Sequence, residues 1–133
     1  MRSPAIALIG IMVAVFIAAP CTGQGLGGWQ TKNVQEDPIY EELAHFAISK
    51  QVNNREFFDT VLELLEVQTQ VVSGIKYRIK FKTAESTCRI FDTYSKAACP
   101  PKIQVGNDIC TAEIVDGPNN DRVLTSFSCQ AHH

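Results

Sequence analysis

From Ile75 to Lys82 the chain alternates without a break. Ile75, Tyr77, Ile79 and Phe81 fall on one side, Lys76, Arg78, Lys80 and Lys82 on the other. A period of two is the signature of an extended strand, with one face buried and the other wet. Such a strand needs a partner, and the preceding segment, 61–71, can fold back on it. With the turn centred on Ser73, Thr69 faces Tyr77, Val67 faces Ile79 and Leu65 faces Phe81. On the opposite face Gln68 meets Arg78 and Glu66 meets Lys80. Apolar pairs then share one side and opposite charges the other, whereas a slip of one residue would destroy both matches.

The rest of the chain supplies what covers the buried face. Asp37-Pro38 suits a helix start, with Asp37 as N-cap and Pro38 at the first helical position. Ile39, Leu43, Phe46 and Ala47 form a helical stripe, Glu41, Glu42 and Lys50 lie largely off it, and Asn53-Asn54 is the expected end. A second hairpin is legible in CTAEIVDG and DRVLTSFSC, flanking a turn around Pro118, Asn119, Asn120 and Asp121. Centring that turn between Asn119 and Asn120 places Cys110 opposite Cys129 and leaves Cys88 to pair with Cys99. The expected fold class is α+β, with one helix packed on one face of an antiparallel sheet.

The N-terminal 23 residues stand apart. Arg2 is followed by IALIGIMVAVFIAA, an apolar run too short to span a bilayer comfortably but suited to a secretory signal peptide. Cys21-Thr22-Gly23 offers a cleavage site, so residues 1–23 are expected to be removed, leaving a single domain over 24–133 that is secreted to the extracellular space. Cys21 leaves with the leader, and the five cysteines become four, an even set that suits two disulfides in a small secreted domain. Oxidation would consume any nucleophilic thiol, no CxxC pair occurs, and the only histidines are His45, His132 and His133. Neither a zinc site nor a Cys-His enzyme is expected, and no cofactor. Removal of Arg2 leaves 11 basic and 14 acidic side chains, a formal charge of −3, which disfavours a nucleic-acid partner. Nothing in the mature segment suggests a membrane partner. Glu41-Glu42 reads as a solvated helix face rather than a catalytic acid pair.

One stretch resists a purely structural reading. In Gln70-Val71-Val72-Ser73-Gly74 two valines stand at a turn, where polar residues are usual. Val71 can face the core in the register above. Val72 cannot, because it shares the face of Glu66 and Lys80. An apolar group held out at a rigid tip suits insertion into a groove, and Gly74 gives the backbone freedom for a tight reversal.

QVVSG, the glycine-containing LGG near the proposed mature N-terminus, the order helix then sheet, and four cysteines together resemble the secreted, two-disulfide (type 2) cystatins, inhibitors of papain-like cysteine proteases. HFAISK, FDTVLELLEVQTQVVSG and ESTCRIFDTYSKAAC look most like the cystatins that ticks secrete. The resemblance implies the cystatin fold, one long helix across a four- to five-stranded antiparallel sheet. It also implies a wedge of three parts that blocks a protease cleft without performing chemistry. Leu26, Gly27 and Gly28 would form the arm. Gln70, Val71, Val72, Ser73 and Gly74 would form the first hairpin, and Pro118, Asn119 and Asn120 the second. The implied partners are proteases of the cathepsin L and S kind. The chain is expected to be a monomer, with exchange of the first hairpin between two copies as its route to a dimer. Where the family pattern has Pro-Trp, this chain has Pro118-Asn119, which puts part of the grip in doubt. A secreted binding or immune-modulating protein on the same fold, with weak or no inhibition, is the alternative. VNNRE after the helix has Asn53 and Asn54 but lacks the family's legumain-binding element, so legumain inhibition is not expected.

Overall fold

The computed structural model describes residues 28–106, 108–119 and 121–131. The proposed leader, together with Leu26, Gly27 and Asn120, lies outside them. Five strands form one antiparallel sheet in sequence order: β1 (Gln30–Lys32), β2 (Phe57–Val72), β3 (Gly74–Arg89), β4 (Asp108–Asp116) and β5 (Arg122–Ala131). Among the described residues a single helix, α1 (Ile39–Ser49), packs on one face. The α+β expectation and the cystatin-like architecture therefore hold. The short edge strand β1 carries no alternation of its own and was not legible as a strand.

The helix starts at Ile39 with Pro38 at the N-cap position, one residue later than expected, while the Asp37 side chain accepts a hydrogen bond from the Ile39 N–H at 3.0 Å just ahead of it. The helix stops at Ser49, several residues before the expected Asn53-Asn54. Asn54 instead sits in the following turn at φ 59°. The buried stripe is also rotated slightly from the expected one. Tyr40, Leu43, Ala44, Ala47 and Ile48 are buried, while Ile39 and Phe46 border the core. These side chains meet Val67, Tyr77, Ile79, Phe81, Ala112 and Ile114 from the sheet. Alternation along β3 thus reaches its expected result: Tyr77, Ile79 and Phe81 inside, Lys76, Arg78, Lys80 and Lys82 outside.

The first hairpin keeps the expected pairs Thr69 with Tyr77, Val67 with Ile79, Gln68 with Arg78 and Glu66 with Lys80. The pairing of Leu65 with Phe81 is not formed. A bulge between Leu64 and Glu66 sets Leu64 opposite Phe81 instead. Further irregularities follow Phe57 and Val61. An extra residue on one strand sharpens its twist, which helps a strand of 16 residues wrap a helix of 11.

In the second hairpin Cys110 lies opposite Cys129, as expected. The turn centre is one half-step from the expected place: Asp116 faces Arg122, which centres the turn on Asn119. A bulge at Thr125 restores the expected register from Glu113 onward. The two disulfides are Cys110–Cys129 and Cys88–Cys99, closing sequence separations of 19 and 11. Loops of this size typically contribute about 2–4 kcal/mol each. The Cys88–Cys99 loop packs with Phe58, Ile90 and Tyr94 as a second small core at the end of the molecule remote from the QVVSG turn. Tyr94 ties that loop to the helix, its hydroxyl lying 2.5 Å from His45 Nδ1 and 3.0 Å from Thr60 Oγ1.

Candidate functional site

β2 and β3 reverse over Val72, Ser73 and Gly74, with Val72 opposite Gly74. Gly74 has φ +127°, a conformation L side chains rarely adopt. A Cβ there would lie 2.5 Å from the Asp116 carbonyl oxygen and 3.0 Å from Gly117 Cα. Glycine is therefore required for two reasons: the dihedral of the turn, and the close approach of the second hairpin behind it.

The apolar residues of this tip are open to solvent. Val71 is 61% exposed, Val72 42% and Ile75 41%. The expectation that Val71 faces the core is thus corrected. It lies on the core side of the strand, but the helix does not reach it. The first turn of the helix covers the sheet through Tyr40, whose ring meets Tyr77 edge-on at 6.2 Å. Val71 and Ile75, paired with each other, lie one step beyond that cover. Gln70 pairs with Lys76 at the base of the tip, and Ser73 is exposed at its apex.

Two further segments meet this tip. On one side Gln30 pairs with Thr69, and continuing that register brings Gly28 level with Val71. On the other, Ile75 pairs with Asp116, and the strand runs into the loop of Pro118 and Asn119, both exposed. The Gly117 N–H donates to the Asp121 carbonyl oxygen at 2.9 Å, closing that loop. The order along this end of the sheet is the start of β1, the first hairpin, then the second. Gln70, Val71, Val72, Ser73, Gly74, Pro118 and Asn119 are therefore brought to one edge, and Gly28 lies two residues before the first pair of β1.

Sequence reading missed the outer face behind this edge. Arg78 Nε donates to Glu113 Oε2 at 2.9 Å, and its guanidinium lies near Gln68 Oε1 at 3.4 Å. Lys76 Nζ reaches Glu113 Oε1 at 3.4 Å. Burial disfavours a charged Glu113, but the Arg78 and Lys76 bonds outweigh it and hold the carboxyl below its usual range. Over Arg78 lies Trp29, its ring centroid 4.0 Å from the guanidinium carbon. The signals were a lone tryptophan beside a glycine pair and cations at every second position. Neither said that the two would meet.

No side chain from Val71 to Ile75 is titratable or paired with a base, so the edge offers shape and apolar surface rather than reactivity. The model of the cystatin domain family matches residues 27–119, from the arm to the second hairpin. The chain belongs to the cystatin family. Mialostatin of Ixodes ricinus is 45% identical over 132 residues, covering 96% of this chain and 93% of that protein. Salivary cystatin-L of Ixodes persulcatus is 42% identical over 118 residues, covering 85% of this chain and 89% of that one. The crystal structure of mialostatin, described as a gut cystatin, superposes with a TM-score of 0.76 at 46% identity, over 80% of this chain and all of that one. A salivary cystatin of the soft tick Ornithodoros moubata gives 0.73 at 39% identity, over 78% of this chain and 97% of that one. Cystatins are protein inhibitors of proteases and not enzymes, and these relatives support cysteine protease inhibition as the general activity of this one.

Proposed function

We propose that this cystatin is a secreted, reversible, tight-binding competitive inhibitor of papain-like cysteine proteases of the cathepsin L and S kind. The observation that carries this reading is the contact of Gly74 with Asp116 and Gly117, which leaves no room for a side chain between the two hairpins. That contact fixes the exposed Val71 and Val72 relative to Pro118 and Asn119. A rigid apolar tip can fill a cleft without the ordering cost a flexible loop would incur. Leu26, beside Gly27 and Gly28, would add a substrate-like contact from the arm. Nanomolar inhibition needs about −12 kcal/mol, within reach of an interface of ordinary size. Residues 1–23 would act as the leader, and relatives named for saliva or gut support secretion. The protein would act as a monomer, with exchange of the first hairpin as its route to a dimer.

Asn119, where the family pattern has tryptophan, favours a second reading: a secreted binding or immune-modulating protein with weak or no inhibition. Titration of a purified cathepsin L-like protease with the secreted protein separates the two. Competitive inhibition at nanomolar concentration, weaker on a cathepsin B-like enzyme, is the expected result. No inhibition at micromolar concentration would leave only the second reading.

A further inference from the structure

The chain leaves the sheet at its N-terminal edge through Trp29. Gly27 and Gly28 precede it and carry no side chain with which to hold a direction. β1 pairs over only Gln30–Lys32, so the backbone ladder alone holds the start of the arm weakly. What remains is Trp29, half-buried on the outer face of the sheet. Its indole reaches across β2 to the Arg78 guanidinium, 4.0 Å from the ring centroid, with Lys76 Nζ at 5.9 Å. Arg78 is itself held in place by Glu113 of β4 and flanked by Gln68 of β2. A planar guanidinium fixed at its edge makes a flat shelf for an aromatic ring, which the point charge of a lysine does not.

The geometry points to Trp29 and Arg78 as positioning residues for inhibition. Stacked together and anchored on Glu113, they set the direction in which the chain departs at Gly28. The chain N-terminal to Trp29 would thereby enter the cleft from the flank of the first hairpin that carries β1. This rests on the proposed function and adds to it a device outside the three inhibitory segments. Neither residue need touch the protease.

A cycle of variants in the secreted protein tests this by inhibition constant on a cathepsin L-like protease. Trp29→Ala should raise the constant roughly 3- to 30-fold, the range expected for a partly buried stack of this kind. Arg78→Lys should do nearly the same despite keeping its charge, and Trp29→Phe should recover part of the loss. The deciding arm is Leu26→Gly, which removes the apolar group the arm would present. On that background Trp29→Ala should add less than about twofold, because residues that act through one another are not additive. As Trp29 is the only tryptophan, its emission reports the stack directly and should shift in Arg78→Lys. An equal loss from Trp29→Ala with and without Leu26, or none in either, overturns the inference. If Leu26→Gly has no effect of its own, the arm is not used and the inference also fails. Absence of inhibition by the parent would overturn the proposed function, and this inference with it.

Discussion

Replacing Gly74 by alanine is the smallest perturbation that addresses the proposed inhibitory edge. The residue sits at φ +127°, and holding a non-glycine residue in such a region costs roughly 1–3 kcal/mol. The added Cβ would also come to 2.5 Å from the Asp116 carbonyl oxygen. That obstacle is main chain, so relief requires a backbone shift rather than the swing of a side chain. Two outcomes compete. The hairpin can keep its shape and lower the stability of the fold, or the tip can relax and lose its alignment with the second hairpin. Relaxation should win. Val71, Val72 and Ser73 are exposed and lie beyond the helix, so moving them disturbs little of the core. The penalty then falls on binding, because the bound tip must recover the strained shape. At about 1.4 kcal/mol per factor of ten, a cost of 1–3 kcal/mol raises the inhibition constant roughly 5- to 150-fold. Displacement of Asp116 adds to this, and Gly74→Val should be worse, since β-branching excludes such dihedrals more strongly. Inhibition constants on a cathepsin L-like protease and thermal unfolding, measured on the same preparations, give both quantities. A Gly74→Ala protein that inhibits within twofold of the parent at an unchanged melting temperature would refute the reasoning.

Asn119→Trp should tighten inhibition by about 1–3 kcal/mol through added aromatic contact, most on enzymes the parent inhibits poorly; a variant with the parent's constants on both cathepsin L-like and B-like enzymes would mean that the second hairpin meets no groove there. Burial lowers the pKa of His45 and outweighs the raising effect of Glu41, while Lys96 nearby adds to the lowering. The unfolded chain therefore takes up the proton first, and this contribution to stability, full above pH 6.5, is lost as pH falls toward the lower folded value. Denaturant midpoints of parent and His45→Asn should accordingly converge below pH 6.5, and parallel profiles would exclude the histidine as their cause. Secretion with cleavage after Gly23 should leave no free thiol. Intact mass and thiol labelling check this, and one reactive thiol per chain would place the N-terminus before Cys21.

Much of the fold was legible because its signals are local. Alternation from Ile75 to Lys82 assigns each side chain to a face whatever lies elsewhere, and pairing follows from matching two such patterns. Cys110 and Cys129 could be set opposite each other for the same reason. Leu65 and Thr125 mark the limit of that logic. A bulge costs little locally and is selected by how the strand must twist around its neighbours, so a pairing counted from the turn fails past the first insertion.

The candidate site divides along the same line. QVVSG, LGG and the Pro118 turn could be recognised as three separate segments, since each is a short run with its own turn chemistry. The meeting of QVVSG with the Pro118 turn depends on strand order, which places β1 and β4 on opposite flanks of the first hairpin. Whether Val71 is core or tip depended on where the helix ends its cover, a matter of packing between residues far apart in sequence. The need for glycine at position 74 was half visible as a turn and half hidden as a contact with Asp116, 42 residues onward. Trp29 on Arg78 was not visible at all. A periodic pattern can say that a cation faces water, but only the assembled sheet decides which aromatic ring comes to rest on it, because a stack requires two distant backbones to be positioned to within about an ångström.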